Sequence, residues 1–330
     1  MILIPLDVTP AALSEILGAE VSRVNLRPAS DNWGATVTFL DVTYAHLTDL
    51  PASFALKNGK SGAPRTSAQR EVDFYRNIVP TTRDKTMLPD VYYTQLGDGG
   101  SYQILLKNYQ ASHISSGIPF DLNDAELEQA VVALAQFHGQ WWGHPSLKDS
   151  LPAVEDLLDH PHARQATFNI FDVAQQFLDT NEDLTTHERH EFQYLLDNYP
   201  VEQIVKRIRQ DRWFTIIHGD MWHGNVLFGD AGAILIDWPN WSAGHPAFDL
   251  AYLICLASTP QNIGSREANL VDRYLTIFSG YSGFSADERS VFKADYDLVA
   301  KKSLALLPIW LWNDGQEVWK RVYKRLLALL

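Results

Sequence analysis

Apolar residues recur along this chain with two periods, and the change between them divides it. In the first third they alternate or run in short β-rich stretches. Thr36–Tyr44 and Ser53–Lys57 are rich in β-branched and aromatic residues and predict strands, and Tyr102–Leu106 predicts a third. Thr9-Pro10 followed by Leu13, Ile16 and Leu17 predicts a short helix, with Thr9 as cap, proline in the first turn and Gly18 at the end. Gln69–Arg76 begins a helical pattern whose apolar side is Val72, Tyr75, Ile78 and Val79. From Asn123 onward the helical period dominates. Leu127, Ala130, Val131, Leu134, Phe137, His138 and Trp141 fall on one face, behind Asn123 as cap. The segment from Ser146 to Asp211 is polar and helix-prone. Two amphipathic helices are expected between Val291 and Leu330, broken near Leu307-Pro308 and Asn313–Gly315. Strands first and helices afterwards predict an α+β protein.

One stretch breaks this pattern with chemistry. Val226–Phe228 and Ala233–Ile236 are short apolar runs around Gly229-Asp230-Ala231-Gly232, which predicts a β-hairpin. Asn225 precedes the first run and Asp237 follows the second, so a hairpin brings together two side chains twelve positions apart. A carboxamide and a carboxylate offer hard oxygen ligands suited to Mg²⁺, which shares its shell with substrate phosphates. Asp220 lies five positions before Asn225 on the approach to the hairpin, within His218-Gly219-Asp220-Met221-Trp222-His223-Gly224-Asn225. A carboxylate there can accept a hydroxyl proton while metal neutralises the phosphoryl charge. Phosphoryl transfer needs little beyond positioning, charge neutralisation and an oriented nucleophile. An alternative takes His218, Asp220 and His223 as a zinc hydrolase cluster. It leaves unexplained why Asn225 and Asp237 flank a hairpin.

His218-Gly219-Asp220 with Asn225, then Ile236-Asp237-Trp238, then Gly244-His245-Pro246-Ala247-Phe248-Asp249-Leu250-Ala251, resembles the aminoglycoside-phosphotransferase and choline-kinase-like superfamily. Trp222 and Asp249–Leu253 look closest to its ecdysteroid-kinase-like branch. The resemblance implies Asp220 as catalytic base, Asn225 and Asp237 as Mg²⁺ ligands, and Asp249 as a brace for the catalytic loop. It implies a bilobal protein-kinase-like fold, with an antiparallel sheet and helix in the nucleotide-binding lobe (1–108). A larger, mainly helical lobe (109–330) would hold the catalytic loop and the acceptor. Kinase order then places Lys57, on the second expected strand, at the α- and β-phosphates, with Glu71 pairing it. The phosphate-covering loop falls at Asn32-Trp33-Gly34-Ala35, with Asn32 and Gly34 as phosphate neighbours. It is poorer in glycine than such loops often are. Lys107-Asn108-Tyr109 falls at the hinge, where relatives often carry an acidic pair. Asn108 is the nucleotide-contact candidate there, and ATP is expected with GTP as the alternative.

Composition narrows the function further. At 330 residues the chain is long enough for two substantial cores. Its 46% hydrophobic and 20% charged residues are ordinary for a globular enzyme. A net charge of −13 argues against nucleic acid as partner; it suits attraction of a cationic acceptor and, equally, solubility alone. No apolar run reaches membrane-span length, Met1–Asp7 lacks the features of a signal peptide, and the one cysteine, Cys255, sits in an apolar run. These features fit a cytoplasmic protein, as monomer or homodimer. His138 reads as a core histidine, and His160, His162, His187 and His190 as solvated surface. Trp310, Trp312 and Trp319 are either core or an aromatic wall of the acceptor pocket. The whole predicts an ATP- and Mg²⁺-dependent kinase acting on a hydroxyl of a small molecule. That molecule would be an amino sugar, an aminoglycoside or another hydroxylated natural product. The competing class is a catalytically inactive binding module on a kinase fold, for which the glycine-poor loop and Pro239 leave room.

Overall fold

A computed structural model describes residues 8–32, 35–59, 65–97, 100–115, 122–150, 170–199, 203, 206, 213–297, 304 and 316–329. The chain forms two compact units, Met1–Ile114 with Gly229–Asn240, and Ser115–Phe228 with Trp241–Leu330.

The first unit is a five-stranded antiparallel sheet with helices. Helix α1 (Pro10–Leu17) forms as its caps predict: Thr9 accepts from the Ala12 N–H, and Gly18 closes the last turn. Strands β1 (Val21–Asn32), β2 (Ala35–Tyr44), β3 (Ser53–Gly59), β4 (Val91–Leu96) and β5 (Tyr102–Lys107) take the order β1-β2-β3-β5-β4. Leu13 and Leu17 of α1 pack with Leu40, Val42, Phe54, Leu56 and Leu105 in a buried core. Helix α2 (Arg65–Asp73) runs into a π-helical turn (Phe74–Ile78) and a last α-helical turn, α3 (Val79–Thr81). Such π turns concentrate near functional sites, and this one follows Glu71 directly.

The second unit is mainly helical. Helix α4 (Asp124–Trp141) starts with a full capping box, Asn123 and Glu126 exchanging side-chain-to-backbone hydrogen bonds. Its apolar face is buried as the period predicts. Helices α5 (Ile170–Thr180) and α6 (Thr186–Asp197) bury Phe177 and Phe192 against Trp319 of a C-terminal helix (Gln316–Leu329). Trp319 is therefore core, its ring edge-on to Phe177. Trp310, Trp312, the two expected breaks near 308 and 314, His160 and His162 lie outside the described residues. His187 and His190 are exposed.

Between these helices the chain passes through short strands. Thr215–Ile217 pairs antiparallel with Ser242–Gly244. Val226–Gly229 and Gly232–Leu235 give the strand–turn–strand expected around Asp230-Ala231. Helix α7 (Ala247–Ala257) follows, buried along nearly its whole length, then α8 (Ile263–Ser282) and α9 (Ala286–Asp295). Cys255 is buried in α7, where burial lifts its thiol to about 12.

Candidate active site

The nucleotide-side candidates gather in the first unit. Lys57 on β3 places its Nζ 2.7 Å and 2.9 Å from the two Glu71 carboxylate oxygens, and 2.7 Å from Asp237 Oδ1. Glu71 is fully buried on α2, whereas the Asp237 side chain is 45% exposed. Burial pulls the Lys57 ammonium toward losing its proton, but Asp237 and then Glu71 outweigh it, and its pKa stands well above the ordinary lysine value. Tyr102 donates to Glu71 from the neighbouring strand. Its ring packs so tightly over Gly59 that a Cβ there would lie 2.1 Å away.

Asp237 is the one described non-glycine residue with a left-handed backbone, φ 67°. Its surroundings fix that conformation. Trp238 is fully buried, stacks on Phe74 of the π turn at 4.0 Å, and donates to the Leu235 carbonyl. The Leu235 N–H in turn bonds the Met87 carbonyl at 2.9 Å. The Tyr75 hydroxyl, also from the π turn, accepts the Asp237 N–H. The π turn that continues the Glu71 helix thus also locks Asp237, two residues beyond the strand Gly232–Leu235.

The catalytic-loop candidates gather in the second unit. The Asn225 amide donates to the Asp220 carbonyl at 2.8 Å and to Asp220 Oδ2 at 3.2 Å, so the five-residue spacing closes a loop on itself. Asp220 Oδ1 accepts from the Tyr252 hydroxyl at 3.0 Å. Fully buried Asp249 accepts the backbone N–H groups of His218, at 2.5 Å, and Gly219, at 3.0 Å. Gly219 supports this grip with φ 78°, a conformation costly for other residues. Asp249 also bonds His138 Nε2 at 3.2 Å, and His138 Nδ1 bonds the Tyr274 hydroxyl at 2.7 Å. A carboxylate only accepts, so Nε2 carries the proton and Nδ1 takes that of Tyr274. Burial lowers the His138 pKa despite Asp249, which favours the neutral ring. His138 is the satisfied core histidine its place on the α4 face suggests.

The remaining candidates divide. Asn108 follows β5, and its side chain donates to Ser53 Oγ and accepts from the Gln110 N–H. Asn32 ends β1, paired with Ala35, and Gly34 lies outside the described residues. Lys57, Glu71 and Asp237 come together, as do Asp220 and Asn225. Among the described residues no group of three or more His, Cys, Asp or Glu side chains is arranged to hold a metal ion, which removes the support for a zinc cluster at His218, Asp220 and His223. Carboxylate and carboxamide oxygens, as on Asp237 and Asn225, are donors of the kind magnesium takes.

A model of the phosphotransferase enzyme family matches residues 34–286. The chain belongs to this family. Solved kinases share the fold of this phosphotransferase at low sequence identity. The choline kinase from Cryptosporidium parvum Iowa II is 10% identical, with 93% of this chain and 88% of that one covered at a TM-score of 0.59. The amicoumacin kinase hAmiN, solved with AMP-PNP, Ca²⁺ and Ami, is 11% identical over 92% and 87%, at 0.52. The GDP complex of wild-type aminoglycoside 2'-phosphotransferase-IIIa is 11% identical over 96% and 94%, at 0.52. No curated protein sequence matches. No described helix of the phosphotransferase is long and apolar enough to cross a membrane.

Three residues at these sites carry no motif of their own. Tyr75 and Tyr102 sit in apolar patterns and read as core. Tyr252 sits within Asp249–Leu253, and only its i, i+3 spacing from Asp249 signals that the two share a helix face.

Proposed function

We propose that this phosphotransferase moves the γ-phosphate of ATP, with Mg²⁺, to a hydroxyl of a small molecule, with Asp220 as the base. The acceptor class is an amino sugar, an aminoglycoside or another hydroxylated natural product, and a net charge of −13 favours a cationic member. The observation that carries this reading is the Lys57 ammonium held between buried Glu71 and Asp237. A part-buried lysine kept charged and fixed by a helix carboxylate is what a nucleotide's phosphates require.

Each residue has a part in the transfer. Lys57 would bind the α- and β-phosphates, with Glu71 setting its reach. Asp220 would take the acceptor's proton as its oxygen attacks the γ-phosphorus, and ADP leaves. Asn225 and Asp237 would ligate Mg²⁺, which neutralises phosphate charge when bound. Asn225 commits its amide nitrogen to Asp220, so its carbonyl oxygen would be the ligand atom. Asp249 acts at one remove, holding the loop backbone. Asn32 and Gly34 would lie at the phosphates and Asn108 at the base. Asn108 would act through its backbone carbonyl, since its side chain is engaged by Ser53 and Gln110 and its N–H by the Ser53 carbonyl.

The test is ADP release from Mg-ATP and Mg-GTP against a panel of aminoglycosides, amino sugars, choline-like amines and hydroxylated steroids. Acceptor-dependent release with ATP, abolished by Asp220→Ala, is expected. Release that Asp220→Ala leaves unchanged would sink the assignment of the base. Nucleotide binding without turnover on any acceptor would favour the inactive binding module.

A further inference from the structure

We propose that Tyr252 is a positioning residue for Asp220, fixing which carboxylate oxygen is presented to the acceptor hydroxyl. This rests on the reading of Asp220 as base. The argument begins with α7. Asp249 and Tyr252 stand three residues apart on that helix and so share a face. Asp249 holds the backbone of the catalytic loop through His218 and Gly219. Tyr252 holds the side chain, its hydroxyl 3.0 Å from Asp220 Oδ1. One rigid helix therefore fixes both where the loop runs and how its carboxylate is turned.

The direction of the hydrogen bond follows from burial. Tyr252 is buried, and burial, then the nearby Asp220 charge, hold its phenol protonated well above the ordinary tyrosine value. It can only donate to Asp220. Asn225 donates to the other oxygen, Oδ2, at 3.2 Å. A carboxylate with one donor on each oxygen has its plane fixed. The Asn225 bond is the longer, and it comes from a residue with a proposed metal-binding part. Tyr252 has no other part in the site, and it anchors Oδ1 whatever Asn225 does. Oδ2, on the longer of these two bonds, is then the oxygen presented to the acceptor. A reacting group held to a small angular tolerance transfers its proton far faster than a freely rotating one.

Tyr252→Phe keeps the ring and its packing and removes the hydroxyl alone. With Mg-ATP and water as the phosphoryl acceptor, ADP release should fall about tenfold in kcat, the loss expected for one hydrogen bond to a charged group. KM for ATP and the unfolding temperature should stay at wild-type values, because nucleotide contacts and core are untouched. In a crystal structure of Tyr252→Phe the Asp220 carboxylate should leave its wild-type rotamer. Undiminished kcat overturns the proposal, and so does an Asp220 carboxylate that has not moved. Asp220→Asn, measured alongside, separates the two claims. If it releases ADP like the wild type, the base assignment fails, while the position of Asp220 in Tyr252→Phe still decides the role of Tyr252.

Discussion

Lys57 carries its charge where burial would ordinarily strip it. Two carboxylates keep it charged, and the dependence runs both ways, because Glu71 is fully buried with Lys57 as its cation. Removing one partner of a buried pair costs more than the pair contributes, roughly 3 kcal/mol or more. Lys57→Met should therefore lower the thermal unfolding midpoint as well as abolish turnover. Lys57→Met/Glu71→Leu should recover much of that stability and none of the activity, as paired melting curves and ADP-release assays would show. The pairing of Lys57 with Glu71 and of Asp220 with Asn225 was legible in the sequence because their types and order follow a recognisable pattern. Tyr75, Tyr102 and Tyr252 were not. A tyrosine in an apolar run looks like core from the sequence, and these are core, with only the hydroxyl oxygen reaching the site.

Three helices meet at one imidazole. His138 of α4 donates to Asp249 of α7 and accepts from Tyr274 of α8. Its pKa is lowered from 6.5 in the folded chain, chiefly by burial. The unfolded chain therefore takes up a proton near pH 6.5 that the folded chain refuses. The linked stability is complete above that pH and is lost as pH falls through and below it. Denaturant unfolding between pH 7.5 and 5 should show stability declining as pH falls. His138→Gln, which keeps hydrogen-bonding capacity without titrating, should flatten it. Elements with a clean period, such as α1 and α4, follow directly from sequence. Strand β1 does not. Arg23, Asn25, Arg27 and Pro28 blur its alternation, and the register shifts twice against β2. It is an edge strand, paired on one side only, so its outer positions are under little pressure to be apolar.

At the scale of the whole molecule the two compact units hold different groups of the proposed site residues. Lys57, Glu71 and Asp237 belong to the first, and Asp220, Asn225, Asp249 and Tyr252 to the second. The segment Gly229–Asn240 reaches the first unit only by folding, since more than a hundred residues separate it from Ile114 in sequence. No local pattern announces that association. Ligand binding should report on the folded molecule as one quantity. Mg-ATP at about a hundred times its Kd should stabilise the phosphotransferase by about 2.7 kcal/mol, raising the midpoint of a thermal shift assay. Lys57→Met should remove that shift, whereas Asp220→Asn should keep it, because only the first is assigned to nucleotide binding.

The backbone at Asp237 has a consequence for how this protein changes under selection. An L-residue at φ 67° carries about 1 kcal/mol of strain that glycine would not. Its carboxylate, half-exposed to solvent, returns part of that cost by holding the Lys57 ammonium at 2.7 Å. Asp237→Gly and Asp237→Ala both give up that bond, but only glycine relieves the strain. Asp237→Gly should therefore melt higher than Asp237→Ala while both lose phosphoryl transfer, as two melting curves and one assay would test. Glycine is the replacement that a library screened for thermostability alone would tolerate best once the carboxylate is lost. A glycine at this position in a descendant of this chain would thus mark relaxed selection for catalysis, readable without any assay.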